Sequence, residues 1–389
     1  MKILLINNVY KKGSTGKIVD SLFHEFKKEN DVYLIYGRGS KVNEKNVFKK
    51  TFELESKIHH FFSLFTGNMF GGMFFSTQRI IRTIKKIKPD VINLHCLNGY
   101  FVNIYLLLKW LSKNNVKTVM TMHADFMMTG GCGYAIDCKN YLNGQCLGCK
   151  EFKNFNSKFS LNRTHHLYLK IQKALKQFNN DHLRITCVSK WLADRYAESP
   201  LYKDFCVKTI LNPVDSIFFN QPNKNPYSEL NKNVLYVTPD IYDYVKCGWR
   251  IIDIANKRKD INFTVICTKN IEFKFENKNI NYIKGGVQKD LLRDYYYFAD
   301  ATLIISKRET FSMVVAESLA SGTPVYGFKC GGPESIGIPE YSFFFDYGDI
   351  DSISESLLTK AFRKEDIVKA SAKYDSSHIA GEYLAVYRF

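Results

Sequence analysis

Two carboxylates, Glu309 and Glu317, stand eight residues apart in the segment 303–336, LIISKRETFSMVVAESLASGTPVYGFKCGGPESI. Leu303-Ile304-Ile305 is the short apolar run of a buried parallel strand. Glu309-Thr310-Phe311 reads as the loop after it, Ser312 as an N-cap, and Met313–Ala320 as a helix stopped at Gly322 with Pro324 beyond. Pro324–Phe328 is the next strand, and Gly331-Gly332-Pro333 is a second turn that opens a helix at Glu334. Two successive strand–loop–helix units put two loops and two helix N-termini at the carboxyl edge of one sheet, where open α/β sheets bind their ligands. Backbone N–H groups and helix dipoles at that edge suit phosphate. Acids beside a phosphate site would be repelled by it unless they face the hydroxyls of a sugar or ribose. The combination is the chemistry of a nucleotide-sugar pocket.

This segment resembles the donor-binding signature of the retaining glycosyltransferase family 4, in its bacterial surface-polysaccharide form: E-x7-E, then A-x-G-x-P-V, then a G-G turn with a following glutamate. Other landmarks of the family fall in order along most of the chain. Gly13-Ser14-Thr15-Gly16-Lys17 follows the first strand, His95 ends the strand Asp90–Leu94, and His123 ends Thr118–Met122. Ile185–Ser189 precedes a helix, residues 210–215 with Phe219 match the interdomain segment, and Lys246-Cys247-Gly248 matches the basic phosphate-binding turn.

The resemblance implies the GT-B architecture, an α/β fold of two Rossmann-like doubly wound domains facing each other across a cleft. It implies that Lys246 is the cation for the donor diphosphate, that the Gly13–Gly16 loop approaches the same diphosphate, and that Glu309 binds donor-sugar hydroxyls. Glu317 would hold the ribose, and the N–H groups of Thr310 and Phe311 would point at sugar or phosphate. His123 would contact the reacting sugar, His95 would order the neighbouring turn, and Asp125 would position the acceptor or assist as a base. One departure stands out: Thr238-Pro239-Asp240 carries no arginine where many relatives have one. Lys246 and helix N-termini then serve the leaving group, and the chemistry needs no cofactor. The implied activity is retaining transfer of a sugar from a nucleoside-diphosphate sugar to a lipid-linked glycan, in capsule, exopolysaccharide or O-antigen synthesis.

At 389 residues and 45% apolar content the chain suits two ordinary domains. Residues 1–220 are expected to form the acceptor domain and the polar stretch 221–231 a linker. Residues 232–375 are expected to form the donor domain, and 376–389 a helix packing back on the first. Charge is unevenly placed: residues 1–220 hold 33 lysines and arginines against 16 acids, and the remainder 22 against 22, so the whole net +17 sits on the first part. Such asymmetry points to a polyanionic partner, and an anionic membrane leaflet carrying the acceptor would explain it. No nucleic-acid motif accompanies the lysines, and a nucleic-acid reading leaves Glu309, Glu317 and both glycine turns unexplained. Residues 59–75 hold six Phe and two Met in front of Arg79, Arg82, Lys85 and Lys86. They form either plain core or an element that touches membrane.

Met1-Lys2 leads straight into a short strand, and no apolar run approaches membrane-spanning length. A cytoplasmic protein, peripheral at the inner face of the membrane, is expected. Cys132, Cys138, Cys146 and Cys149 form C-x5-C-x7-C-x2-C. This pattern fits a structural zinc that stiffens the loop after His123, or reduced packing thiols.

Overall fold

The computed structural model describes residues 1–157, 159–227 and 232–388. The chain forms two compact α/β units, Met1–Ile210 with Ala380–Phe389, and Leu211–Ile379.

The first unit is built on seven strands: β1 (Lys2–Val9), β2 (Asp31–Arg38), β3 (Val47–Lys49), β4 (Val91–Leu94), β5 (Thr118–Met122), β6 (Leu183–Cys187) and β7 (Val207–Thr209). All pair in parallel, in the order β3-β2-β1-β4-β5-β6-β7. A strand covered on both faces must be apolar throughout, and Ile3–Ile6 and β5 are fully buried. The order reverses direction at β1 and β4, where Ile3 pairs with Val32 on one side and Val91 on the other. Between the strands run α1 (Gly13–Phe26), α2 (Glu53–Thr66) and α3 (Phe74–Ile87). Helix α1 begins at Gly13, so Gly13 to Gly16 form its first turn rather than the expected loop. Left-handed φ values of 59° at Lys11 and 62° at Gly13 turn the chain out of β1.

The second unit is a six-stranded parallel sheet: β8 (Asn233–Thr238), β9 (Asn262–Cys267), β10 (Ile280–Lys284), β11 (Ala301–Ile304), β12 (Val325–Phe328) and β13 (Ser342–Phe345). Its order is β10-β9-β8-β11-β12-β13, so the reversal lies between β8 and β11. Its core contains Val234, Tyr236, Ile254, Phe263, Val265, Leu303 and Phe328.

The boundary between the units falls at Leu211, ahead of the expected 220. The Val214 N–H donates to the Tyr374 carbonyl (2.9 Å) and the Ser321 hydroxyl to the Phe218 carbonyl (3.2 Å), which ties residues 211–219 to the second unit. Of the expected linker 221–231, residues 228–231 lie outside the described residues, as does Phe389 of the terminal segment. The last helix, Ser376–Tyr387, returns to the first unit from Ala380 onward. There the Tyr387 hydroxyl accepts from Asn93 Nδ2 (2.7 Å), and the Thr121 hydroxyl donates to Asn93 Oδ1 (2.9 Å). Asn93 and Thr121 are buried in adjacent strands, so this chain of bonds joins the helix to the sheet where water cannot substitute. Tyr387→Phe strands the Asn93 amide and should cost about 1–3 kcal/mol, read as a lower urea midpoint with an unchanged m-value.

Candidate functional site

In the second unit the two loops at the strand-order reversal build one charged site. After β8, Asp243 Oδ1 accepts from the N–H groups of Val245 (2.8 Å) and Lys246 (2.9 Å), which folds the turn on itself. Cys247 takes a left-handed φ of 52°. A Cβ on Gly248 would lie 2.8 Å from the Ile241 carbonyl oxygen, so only glycine fits this close approach. The turn aims Lys246 at the loop after β11. Its ammonium stands 2.5 Å from Glu309 Oε1, which also accepts from the Ser306 hydroxyl (3.1 Å). The Lys307 N–H donates to the Val245 carbonyl (2.7 Å) and stitches the loops together.

The second glycine turn locks onto the same place. The Glu309 N–H donates to the Cys330 carbonyl (3.0 Å), and the Gly332 N–H to the Glu309 carbonyl (2.8 Å). A Cβ on Gly332 would lie 2.3 Å from the Thr310 carbonyl and 2.5 Å from the Phe311 nitrogen. The Glu334 carboxylate accepts from the N–H groups of Cys330 and Gly331 and caps its own short helix. Ser312, expected to cap the helix Met313–Ala320, stands at its N-cap position but with φ 76° and no side-chain cap bond. One turn into that helix, Glu317 Oε2 accepts from the Tyr296 hydroxyl (3.3 Å). Burial first, and then the Glu317 carboxylate, hold the Tyr296 phenol well above its ordinary pKa, so it remains a donor. Glu309 thus accepts from Ser306 and Glu317 from Tyr296.

Charge around this site was only partly visible in the sequence. Burial pushes the Cys330 thiol well up, Glu309 and Glu334 push the same way, and Lys246 and Arg308 oppose them. Arg308 therefore belongs to the same charge cluster, and the Lys307-Arg308 pair immediately before Glu309 was its sequence signal. Tyr296 sits in a run of three tyrosines that marks none of them out.

In the first unit, His95 and His123 follow β4 and β5 and meet, Nδ1 to Nε2, at 3.1 Å. One nitrogen must donate and the other accept, so at most one of the two rings is charged. Burial lowers the pKa of His95 well below its ordinary value, and the neighbouring His123 lowers it further. Desolvation brings His123 down to about 4, although its ring keeps a partly exposed edge. His95 Nε2 is buried with no hydrogen-bond partner.

Asp125, expected to position the acceptor or assist as a base, lies in the interior. Its side chain is fully buried, paired with Arg195 (3.0 Å), and accepts from the Ala135 N–H (2.8 Å). The carboxylate holds the cysteine-bearing loop and has no open face toward a substrate. In that loop Cys132 donates to the Tyr134 carbonyl (3.1 Å) and Cys146 accepts from the Gly130 N–H (3.3 Å). Burial pushes the Cys132 thiol up to about 12 and that of Cys146 to about 11. Cys132, Cys138, Cys146 and Cys149 are all free thiols. Among the described residues no three His, Cys, Asp or Glu side chains form a metal-holding group.

The histidine pair sets a pH dependence. Its native pKa values are depressed, so the stability it contributes is present above the unfolded value of 6.5 and lost as pH falls toward about 4. For His123 the full effect is on the order of 3 kcal/mol. Urea midpoints measured from pH 7 to pH 4.5 should fall in the wild type and fall less in His123→Gln; equal slopes would show the ring is not desolvated.

Residues 16–216, more than half of the chain, match the family profile "Glycosyltransferase Family 4", and residues 242–360 match "Glycosyl transferases group 1". A glycosyl transferase provisionally assigned to colanic acid biosynthesis, WcaC of Escherichia coli (strain K12), is 24% identical over 192 residues. That match spans 46% of this chain and 45% of the relative, less than half of either. The solved sucrose-phosphate synthase of Thermosynechococcus elongatus superposes with a TM-score of 0.68 at 13% identity, over 100% of this chain and 98% of its own. The catalytic domain of Arabidopsis thaliana starch synthase IV, bound to ADP and acarbose, gives 0.60 at 14% identity, over 99% and 98%. Both structural likenesses show the fold, two parallel-sheet α/β units of GT-B type, and the profile shows the rest: this chain belongs to Glycosyltransferase Family 4.

Proposed function

We propose that the protein is a retaining glycosyltransferase that moves a sugar from a nucleoside-diphosphate sugar to a lipid-linked glycan, in the synthesis of a capsule, exopolysaccharide or O-antigen. The observation that carries this reading is the Lys246 ammonium held 2.5 Å from Glu309 where β8 and β11 part, next to the N-terminus of the helix Met313–Ala320. Cleaving the bond from the anomeric carbon to the diphosphate leaves oxocarbenium character on the sugar and negative charge on the phosphate, so fixed cations and N–H dipoles there lower the barrier. Lys246, with Arg308 beside it, takes the phosphate oxygens. Glu309, released from the lysine, accepts from donor-sugar hydroxyls, and Glu317, oriented by Tyr296, accepts from the ribose.

In the transfer the carbon–oxygen bond to the diphosphate breaks and a bond to the acceptor oxygen forms on the same face of the sugar. The acceptor proton passes to the departing phosphate. No enzymic base is then needed, in keeping with an Asp125 already committed to Arg195. The likeness to WcaC supports polysaccharide synthesis as the setting. The ADP held by the starch synthase supports a nucleoside diphosphate as the leaving group.

A thermal-shift panel of UDP-, GDP-, ADP- and CMP-sugars tests the donor site. One nucleotide class should raise the melting temperature of the wild type by mass action, and Glu317→Ala should abolish the rise. Lys246→Met should lower kcat by about 10²-fold or more, and the product should keep the anomeric configuration of the donor by NMR. No shift with any donor sinks the transferase reading; an inverted product overturns retention alone.

A further inference from the structure

Helix α2 is built inside out. Leu54, Ile58, Phe61, Phe62 and Phe65 recur at helical spacing on one face, and they are 71%, 44%, 58%, 56% and 49% exposed. The opposite face carries Ser56 and Ser63, which are 0% and 1% exposed. Small polar residues thus form the packed side. The Ser63 hydroxyl bonds the His60 carbonyl (2.7 Å) and the Tyr100 hydroxyl (2.8 Å). A helix stabilised by core burial would be turned the other way.

The apolar face does not end with α2. Glu55 accepts from the N–H groups of Phe75 (2.8 Å) and Ser76 (2.9 Å) at the start of α3, which fixes exposed Phe74 and Phe75 next to it. At the other end the Leu161 N–H donates to the Phe65 carbonyl (3.0 Å) and brings in exposed Leu161. Rings pack on rings across the patch, Phe61 on Phe65 at 5.1 Å and Phe74 on Phe75 at 5.8 Å. Exposed apolar surface of this continuity marks an interaction site.

Cations border it. On α3, Phe75, Arg79, Arg82 and Lys86 share one face by their spacing, so the stripe is aromatic at its start and basic beyond. The Arg79 guanidinium sits 4.3 Å over the Phe52 ring. Arg79 and Lys86 both lie close enough to Lys50 to depress its ammonium pKa, after burial as the main cause.

We propose that the exposed face of α2, with Phe74, Phe75 and the basic stripe of α3, docks on an anionic lipid surface, its aromatic side chains entering the headgroup boundary. No helix among the described residues is long and apolar enough to cross a membrane, and this face lies on the surface instead of spanning it. Apolar anchors flanked by cations complement an anionic bilayer in both of its layers, acyl boundary and headgroup charge. A second copy of the chain fits less well, because a two-fold contact through this patch would bring each basic stripe toward its own copy. The inference deepens the lipid-linked acceptor reading and rests on it for its purpose, though the surface stands on its own observations.

The test is co-sedimentation of the whole protein with phosphatidylcholine vesicles with and without phosphatidylglycerol, at low and high salt. The comparison variants are Phe61→Ser with Phe65→Ser, and Arg79→Glu with Lys86→Glu. The wild type should bind the anionic vesicles, salt should weaken the binding, and each double variant should lose about tenfold or more. All four side chains are partly or well exposed, so melting temperatures and the donor-induced shift should persist, which separates lost docking from lost folding. Absence of vesicle binding overturns the proposal, as does binding that both variants retain. A wild-type dimer by light scattering that Phe61→Ser with Phe65→Ser dissolves, without vesicle binding, assigns the face to self-association. If docking fails while the donor shift survives, the transferase reading stands; if docking holds without any donor shift, only the lipid surface survives.

Discussion

A parallel sheet delivers all its strand ends to one edge, and where strand order reverses, two loops leave in opposite directions with room between them. The Lys246–Glu309 pair is what that constraint produces here. Its partners are far apart in sequence, yet β8 and β11 are neighbours and the Lys307–Val245 bond holds their exits together. The pair is partly solvated, with 21% and 14% of the side chains exposed. In the proposed donor site a diphosphate would replace the carboxylate as the partner of this lysine. There the glutamate would hold the lysine in position for the anion, and its release would open the glutamate to hydroxyl groups. Gly332 makes the exchange geometrically stable, because the second turn can press against Thr310 and Phe311 only where no Cβ intervenes.

The same topology in the first unit yields different chemistry. His95 follows β4 at the reversal and His123 follows β5 beside it. Two imidazoles 3.1 Å apart cannot both carry protons, and their desolvation makes the neutral pair the resident state at neutral pH. Such a pair offers hydrogen bonds without positive charge. Asp125, two residues beyond His123, would upset that neutrality if it were loose; Arg195 and the Ala135 N–H hold it instead.

Legibility in the sequence followed the length scale of each interaction. The central strands were readable because double burial forces apolar runs, whereas the outer strands β3, β7 and β13 were not, and the helix Met313–Ala320 was readable because its stop is local. The meeting of Lys246 and Glu309 was readable because loop positions at strand ends recur with the fold. Contacts that depend on the third dimension were not. Nothing local distinguishes Tyr296 from Tyr295, yet only one reaches Glu317. The ion pair of Asp125 with Arg195, seventy positions on, has no local signal in the sequence. Arg308 joins the charge cluster from the loop after β11, and not from the stretch before Lys246 where many relatives have an arginine. The six phenylalanines of 59–75 could not be assigned from periodicity, since an amphipathic helix has the same spacing whichever way it faces.

The facing of α2 also explains why charge divides as it does. A nucleoside diphosphate is a compact anion, recognised at contact by one or two cations, so the donor unit needs local charge and no net charge. Residues 221–389 have 22 of each sign. A lipid leaflet is an extended anion whose field decays over about 8–10 Å at cellular salt. Only a broad excess of cations on the approaching face gathers much of that field, at about 1 kcal/mol for each one near the surface. The excess of seventeen in residues 1–220 is of the size such a surface rewards, and it sits on the unit whose aromatic helix faces outward. In the proposed docking, charge would set the approach and orientation, and the phenylalanines, which carry no charge to be screened, would keep the protein there once salt has weakened the rest.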